Sequence, residues 1–186
     1  MVGVDEVGRG SIAGPLLVVA ARKKSNLPSG VKDSKLLSKT QRQTIFELLQ
    51  ATCEYGEGWV SCTEIDRLGL AKALRLGVGR ALQNLPAFTS EMIIIDGAYN
   101  YVPEKFRNAQ AIVNADDSQP IVSAASIIAK VKRDNYMVQL SKRHPNYSLE
   151  SNVGYGTSQH LKALRNFGPL RRVHRLSFEP IRQASL

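Results

Sequence analysis

The chain has 186 residues, 43% of them hydrophobic and 22% charged, with 25 lysines and arginines against 16 acids and a formal net charge of +9. Those proportions describe a globular protein about one domain long, 1–186, able to bury a sizeable core. No run reaches the ~20 apolar residues of a membrane span, and no basic leader or cleavage site accompanies the longest apolar stretch, 15–21. The expectation is therefore a cytoplasmic protein with no membrane partner, whose basic surplus suits a polyanion such as nucleic acid.

In chain order, 2–7 and 16–22 read as two apolar strands joined by a glycine turn, and 25–30, "SNLPSG", reads as a loop. Ser38 with Gln41 forms a capping box for a helix running to about Thr52. "YGEGWVSC" is a third strand containing Cys62. With Cys53 it makes the only cysteine pair, lacking CxxC spacing or a neighbouring histidine, so reduced core thiols are expected rather than zinc ligands. From Glu64 to Leu85 apolar residues recur at helical spacing. Met92 to Ile95 is a continuously apolar strand ending on Asp96, and 110–113 is another, followed by a turn carrying Asp116 and Asp117. A long helix spans 121–142 and a shorter one Thr157 to Asn166, leaving a helical C-terminal region from about 140. Hairpins first and β-α-β later imply an α/β protein with a mixed, helix-covered sheet.

The segment "VGVDEVGRGSIAGP" admits two chemistries. Its glycines are spaced GxGxxxG, without a helix opening behind them, and two carboxylates precede them. A dinucleotide site is therefore disfavoured. The carboxylates argue for metal instead. Burying an unpaired carboxylate costs several kcal/mol, so Asp5 and Glu6 in an apolar strand require a cation or an arginine. With the strand-end acids Asp96 and Asp116 they form an all-oxygen donor set suited to Mg²⁺ or Mn²⁺. Two such ions would clamp a phosphodiester for hydrolysis. On a regular strand Asp5 and Glu6 face opposite ways. Either the strand distorts near Gly8 or one of the two has a lesser role.

Longer motifs sharpen this reading. "GVDEVGRGSIAGPLLVVAA", "VKDSKLLS", "EIDRLGLAKA", "IIIDG", "SAASIIAKVKRD", "GYGTSQH" and "HRLSFEP" occur in order over nearly the whole chain. Together they resemble the type 2 ribonuclease H (ribonuclease HII) family. The resemblance implies an RNase H-like fold with a five-stranded mixed sheet. It also implies hydrolysis of RNA in RNA–DNA hybrids and cleavage 5′ to single ribonucleotides in duplex DNA, leaving 3′-hydroxyl and 5′-phosphate ends. Carried onto this chain, its metal-binding catalytic acids are Asp5, Glu6, Asp96 and Asp116. Asp116 is taken rather than Asp117 because an alanine precedes it and Pro120 follows at the family's spacing. Gly8, Arg9 and Gly10 fall where the family reads the ribose 2′-hydroxyl through its backbone, Tyr155 where it packs on that sugar, and Lys35 where it meets phosphate. Arg133, His160 and Arg175 are weaker phosphate candidates. Asp134 reads as pairing with a base on its own helix.

Val153 stands where many bacterial members carry lysine. Only four residues precede Asp5, which speaks against the type 3 relative with its additional N-terminal domain. The tail "IRQASL" gives no support for a sliding-clamp contact, and a monomer is expected. Two other classes compete: an RNase H-like nuclease blind to RNA, opposed by Gly8–Arg9–Gly10, and a non-catalytic hybrid binder, opposed by the full acidic set.

Overall fold

The structure, a computed structural model, describes residues 1–31 and 37–184. Lys35 lies outside the described residues. Five strands, β1 (Val2–Val7), β2 (Leu16–Lys23), β3 (Cys53–Val60), β4 (Ile93–Asp96) and β5 (Ala109–Ile112), form one mixed sheet in the order β3-β2-β1-β4-β5. β1 pairs antiparallel with β2 and parallel with β4, and β5 lies parallel to β4.

The uninterrupted apolar strands are explained by burial on both faces. On β2, Leu17, Val19 and Ala21 pack towards α1 (Lys39–Thr52) and α5 (Pro120–Arg143), whereas Val18 and Ala20 pack towards α3 (Leu70–Asn84). α5, 24 residues and so about 36 Å long, covers the sheet with its first half. Its second half carries a separate apolar cluster. There Met137 and Leu140 meet Ile12, Tyr147, Leu164 and Val173 from the glycine loop and the later helices. These include α6 (Leu149–Asn152), α7 (Ser158–Phe167) and α8 (Glu179–Ala184). Among the described residues no helix is long and apolar enough to cross a membrane.

Ser38 and Gln41 cap α1 reciprocally, as expected. The expected helix from Glu64 to Leu85 is instead two, α2 (Cys62–Leu68) and α3, broken at Gly69 with φ +75°. A second capping box, Ser61 with Glu64, starts α2 and so ends β3 at Val60, two residues before the expected boundary. Four-residue α4 (Ala115–Ser118) is too short to show as a period. Cys53 and Cys62 are buried free thiols.

Close approach of α3 to β3 depends on glycine, since a Cβ on Gly58 would collide with the Gly77 carbonyl. Gly58→Ala should lower stability by about 3 kcal/mol, an overpacking cost with a backbone component. Thermal unfolding measures this, and an unchanged midpoint would show that the two elements can separate freely.

Candidate active site

Register brings the acids together. Val4 of β1 stands opposite Ile95 of β4, and both belong to the cluster under α3. One residue further on, Asp5 and Asp96 therefore turn to the other face, which α5 covers. Asp5 is only 7% exposed. Its Oδ1 accepts the Glu6 N–H at 2.7 Å, and the Ser126 hydroxyl of α5 also bonds its carboxyl. Asp96 Oδ1 accepts the Ala115 N–H at 2.6 Å, which fixes the start of α4. Asp116, next in that helix, is buried, and its carbonyl accepts the Ser123 hydroxyl of α5, whereas Asp117 is exposed. α5 thus touches β1 and α4 through two serines one turn apart, a role invisible in its apolar spacing.

Glu6 takes the opposite face, its carboxylate 3.7 Å from the Arg9 guanidinium. Register stays regular through Val7, so the anticipated distortion lies beyond the acids, at Gly8 with φ +84°.

Burial, reinforced by the charges of Glu6 and Asp96, pushes the Asp5 carboxyl up to about 8. Burial raises Glu6 too; Arg9 opposes that and Asp96 adds to it. Among the described residues no three His, Cys, Asp or Glu side chains stand close enough to cage a metal as they are. Even so, the donors are carboxylate oxygens, and among the described residues no positive neighbour of Asp5 favours its ionised form. That chemistry fits a hard divalent cation, which would draw the acids inward. Asp5, Glu6, Asp96 and Asp116 are the residues that would hold it.

The glycine loop following β1 is built against two arginines with no measurable exposure. Arg133 donates from Nε to the Pro15 carbonyl at 2.9 Å, from Nη1 to Val153 at 2.8 Å and from Nη2 to Ala13 at 3.2 Å. Arg175 donates from Nε and Nη2 to the Gly14 carbonyl at 3.1 and 3.0 Å, and from Nη1 to that of Arg9 at 2.9 Å. Burial lowers both guanidinium pKa values, Arg175 to about 10; an arginine in a protein nonetheless keeps its charge at neutral pH. A Cβ on Gly8 would strike the Arg133 guanidinium, so that position requires glycine for space as well as for φ.

Tyr155 is 39% exposed, beside this loop. The Ile12 and Ala13 N–H groups donate to the Gly154 carbonyl at 2.9 and 3.1 Å. Behind it, His160 Nδ1 lies 2.9 Å from the Tyr155 carbonyl, and His160 Nε2 lies 3.2 Å from His174 Nε2. Burial lowers both imidazole pKa values, with His160 as a secondary influence taking His174 to about 4. The phosphate role expected of Arg133, His160 and Arg175 is therefore corrected, since all three are fully buried. The arginines spend their N–H groups on backbone carbonyls of the loop and its neighbours, and His160 its ring nitrogens on the Tyr155 carbonyl and His174. Asp134 does pair within its helix, with Lys130 at 3.0 Å.

A mixed sheet of this order, with carboxylates at the end of two adjoining parallel strands and a cationic loop beside them, defines a metal-dependent nuclease of RNase H-like fold. The family model for ribonuclease HII matches residues 2–181. A curated ribonuclease HII from Sphingopyxis alaskensis is 41% identical over 186 residues, covering 100% of this chain and 92% of that protein. The ribonuclease HII of Archaeoglobus fulgidus, solved in complex with PCNA, superposes with a TM-score of 0.78 at 26% identity, over 94% of this chain and 92% of that one. Bst ribonuclease HIII, solved with Mn²⁺, shares the fold at 23% identity and a TM-score of 0.75, over 98% of this chain and 68% of that one. The chain belongs to the ribonuclease HII family, endoribonucleases that act on RNA–DNA hybrids.

Proposed function

We propose that this chain, acting as one catalytic domain, hydrolyses the RNA strand of RNA–DNA hybrids and also cuts 5′ to single ribonucleotides embedded in duplex DNA. The observation that carries this reading is adjacency: β1 delivers Asp5 and Glu6 and runs without a break in register into the Gly8–Arg9–Gly10 turn. Bound Mg²⁺ or Mn²⁺, two ions in this reading, would supply an activated water and stabilise the leaving oxygen. Asp5, Glu6, Asp96 and Asp116 hold them. The backbone of Gly8–Gly10 reads the ribose 2′-hydroxyl, the group that separates RNA from DNA at a single position, and Tyr155 packs on that sugar. Lys35 meets a flanking phosphate. The two buried guanidiniums raise the potential at the loop where the polyanion approaches.

The deciding experiment offers a duplex with one embedded ribonucleotide alongside an all-DNA duplex, in Mg²⁺, Mn²⁺ or EDTA. Cleavage 5′ to the ribonucleotide in either metal is expected, with none in EDTA and none of the all-DNA duplex. Equal cutting of both duplexes, or cutting in EDTA, would overturn the reading. Tyr155→Ala should slow cleavage at the lone ribonucleotide by about tenfold, the loss of one stacking contact; an unchanged kcat/KM would remove Tyr155 from the site. Hybrid affinity should fall at least about tenfold between 50 and 200 mM salt as phosphate counterions are released. A flat titration would contradict a basic phosphate track.

A further inference from the structure

Residues 174 and 175 reach both halves of the proposed ribose-reading face from behind, and neither is accessible to a ligand. Arg175 Nη1 holds the Arg9 carbonyl at 2.9 Å. A trans peptide points its C=O and the following N–H in opposite directions, and no peptide bond among the described residues is cis. With the Arg9 carbonyl drawn inward, the Gly10 N–H is turned outward. Gly10 is exposed, with open space where a side chain would be. No protein acceptor among the described residues meets its N–H.

The other half is fixed by a directional chain. The Leu170 N–H donates to His174 Nδ1 at 2.9 Å, so the proton of the neutral imidazole sits on Nε2. His174 Nε2–H then donates to His160 Nε2 at 3.2 Å, which leaves the His160 proton on Nδ1, where it donates to the Tyr155 carbonyl at 2.9 Å. Every ring nitrogen has one role, and the chain requires both rings to be neutral. Antiparallel bridging of Ala13 with His174, and the Arg175 N–H bond to the Ile12 carbonyl at 2.9 Å, tie the two halves together.

We infer that Arg175 and the His174–His160 pair are positioning residues that preset the ribose-reading face, Arg175 by aiming the Gly10 N–H outward and the histidines by holding the Tyr155 backbone. The inference rests on the proposed role of that face. It goes beyond it by assigning ribose selectivity to three side chains that never touch the nucleic acid.

The test uses the full chain in an Asp96→Asn background, where cleavage is suppressed. Fluorescence anisotropy in Mg²⁺ compares a duplex holding one ribonucleotide with its all-deoxy twin. Arg175→Lys keeps the charge but not the planar fork that spans two carbonyls. It should cut the ribonucleotide preference roughly five- to tenfold, as loss of an oriented hydrogen bond does, with affinity for the all-deoxy duplex nearly unchanged. His160→Asn keeps an N–H where Nδ1 lies and should retain the preference, whereas His160→Gln places its amide at the other ring nitrogen and should lose it. If Arg175→Lys does not fold, the His160 pair carries the test. Full preference in folded Arg175→Lys and His160→Gln proteins would overturn the inference. So would equal loss on both duplexes, which marks a merely structural role. A parent with no ribonucleotide preference would overturn the reading beneath it, and the two failures are distinguishable.

Discussion

Asp5→Asn is expected to abolish cleavage and, in the same molecule, to raise the stability of the metal-free protein. The first effect follows from removing an ionisable oxygen from the donor set; kcat should fall at least about a thousandfold, and Asp96→Asn should match it while hybrid binding persists. The second follows from the burial that pushes the Asp5 carboxyl from 3.8 up to about 8. Across that window the folded chain holds a proton that the unfolded chain releases, so wild-type stability declines as pH rises from about 4 towards 8 and levels off above it. Asparagine has no such dependence. At pH 7 in EDTA the variant should be more stable by about 2 kcal/mol, or roughly 5 °C in thermal midpoint. Retained cleavage would remove Asp5 from the metal ligands. A variant less stable than wild type at pH 7 would mean that the carboxyl is not strained.

Arg133→Met should be among the most damaging single changes outside the acids. Methionine fills much of the space but leaves the Pro15, Val153 and Ala13 carbonyls buried without their donors. Unsatisfied buried groups of this kind cost about 1–3 kcal/mol each. Even with partial rearrangement a loss of about 3 kcal/mol is expected, roughly 10 °C in midpoint. Arg133→Lys should recover little, since one ammonium cannot span three carbonyls. Thermal unfolding of the two variants checks this, and wild-type midpoints would show that the loop holds its own shape.

The sequence was most legible where one residue type had one physical use. The apolar runs of β2 and β4 could only be strands buried on both faces, and the Ser38 capping box marked the start of α1 to the residue. Asp96 stood out because a carboxylate closing a run of isoleucines needs a partner, and the fold supplies the Ala115 N–H. The arginines and histidines were not. From sequence alone, Arg133 and Arg175 are cations in a basic chain, and a phosphate contact is the ordinary use of such a cation. Only the fold shows that their partners are backbone carbonyls, all but that of Val153 lying 118 to 166 residues away. Ser123 and Ser126 were hidden for a similar reason, since a serine in a small-residue helix gives no sign of which strand lies beneath it. Gly69 divided a helix that periodicity had joined, because a 3.6-residue pattern survives a one-residue break. For the neighbouring acids the sequence left a distortion near Gly8 or a lesser role for one of the two. The strand stays regular through both and departs only at Gly8, with Asp5 bonding its neighbour's N–H and Glu6 answering to Arg9 from the far face.

The 166-residue separation between Arg175 and the Arg9 carbonyl also has a bearing on how the protein is made. Of this sequence, the segment carrying Asp5 and Glu6 leaves the ribosome first, yet the Arg9 carbonyl in the adjoining turn lacks its Arg175 donor until residue 175 has emerged. Closing so long a loop is entropically slow, so docking of 173–175 belongs to the late stages of folding. In the proposed reading, a nascent chain carrying Asp5 and Glu6 would therefore lack its finished ribose-reading face throughout most of synthesis, so that selectivity would be completed only as the chain is.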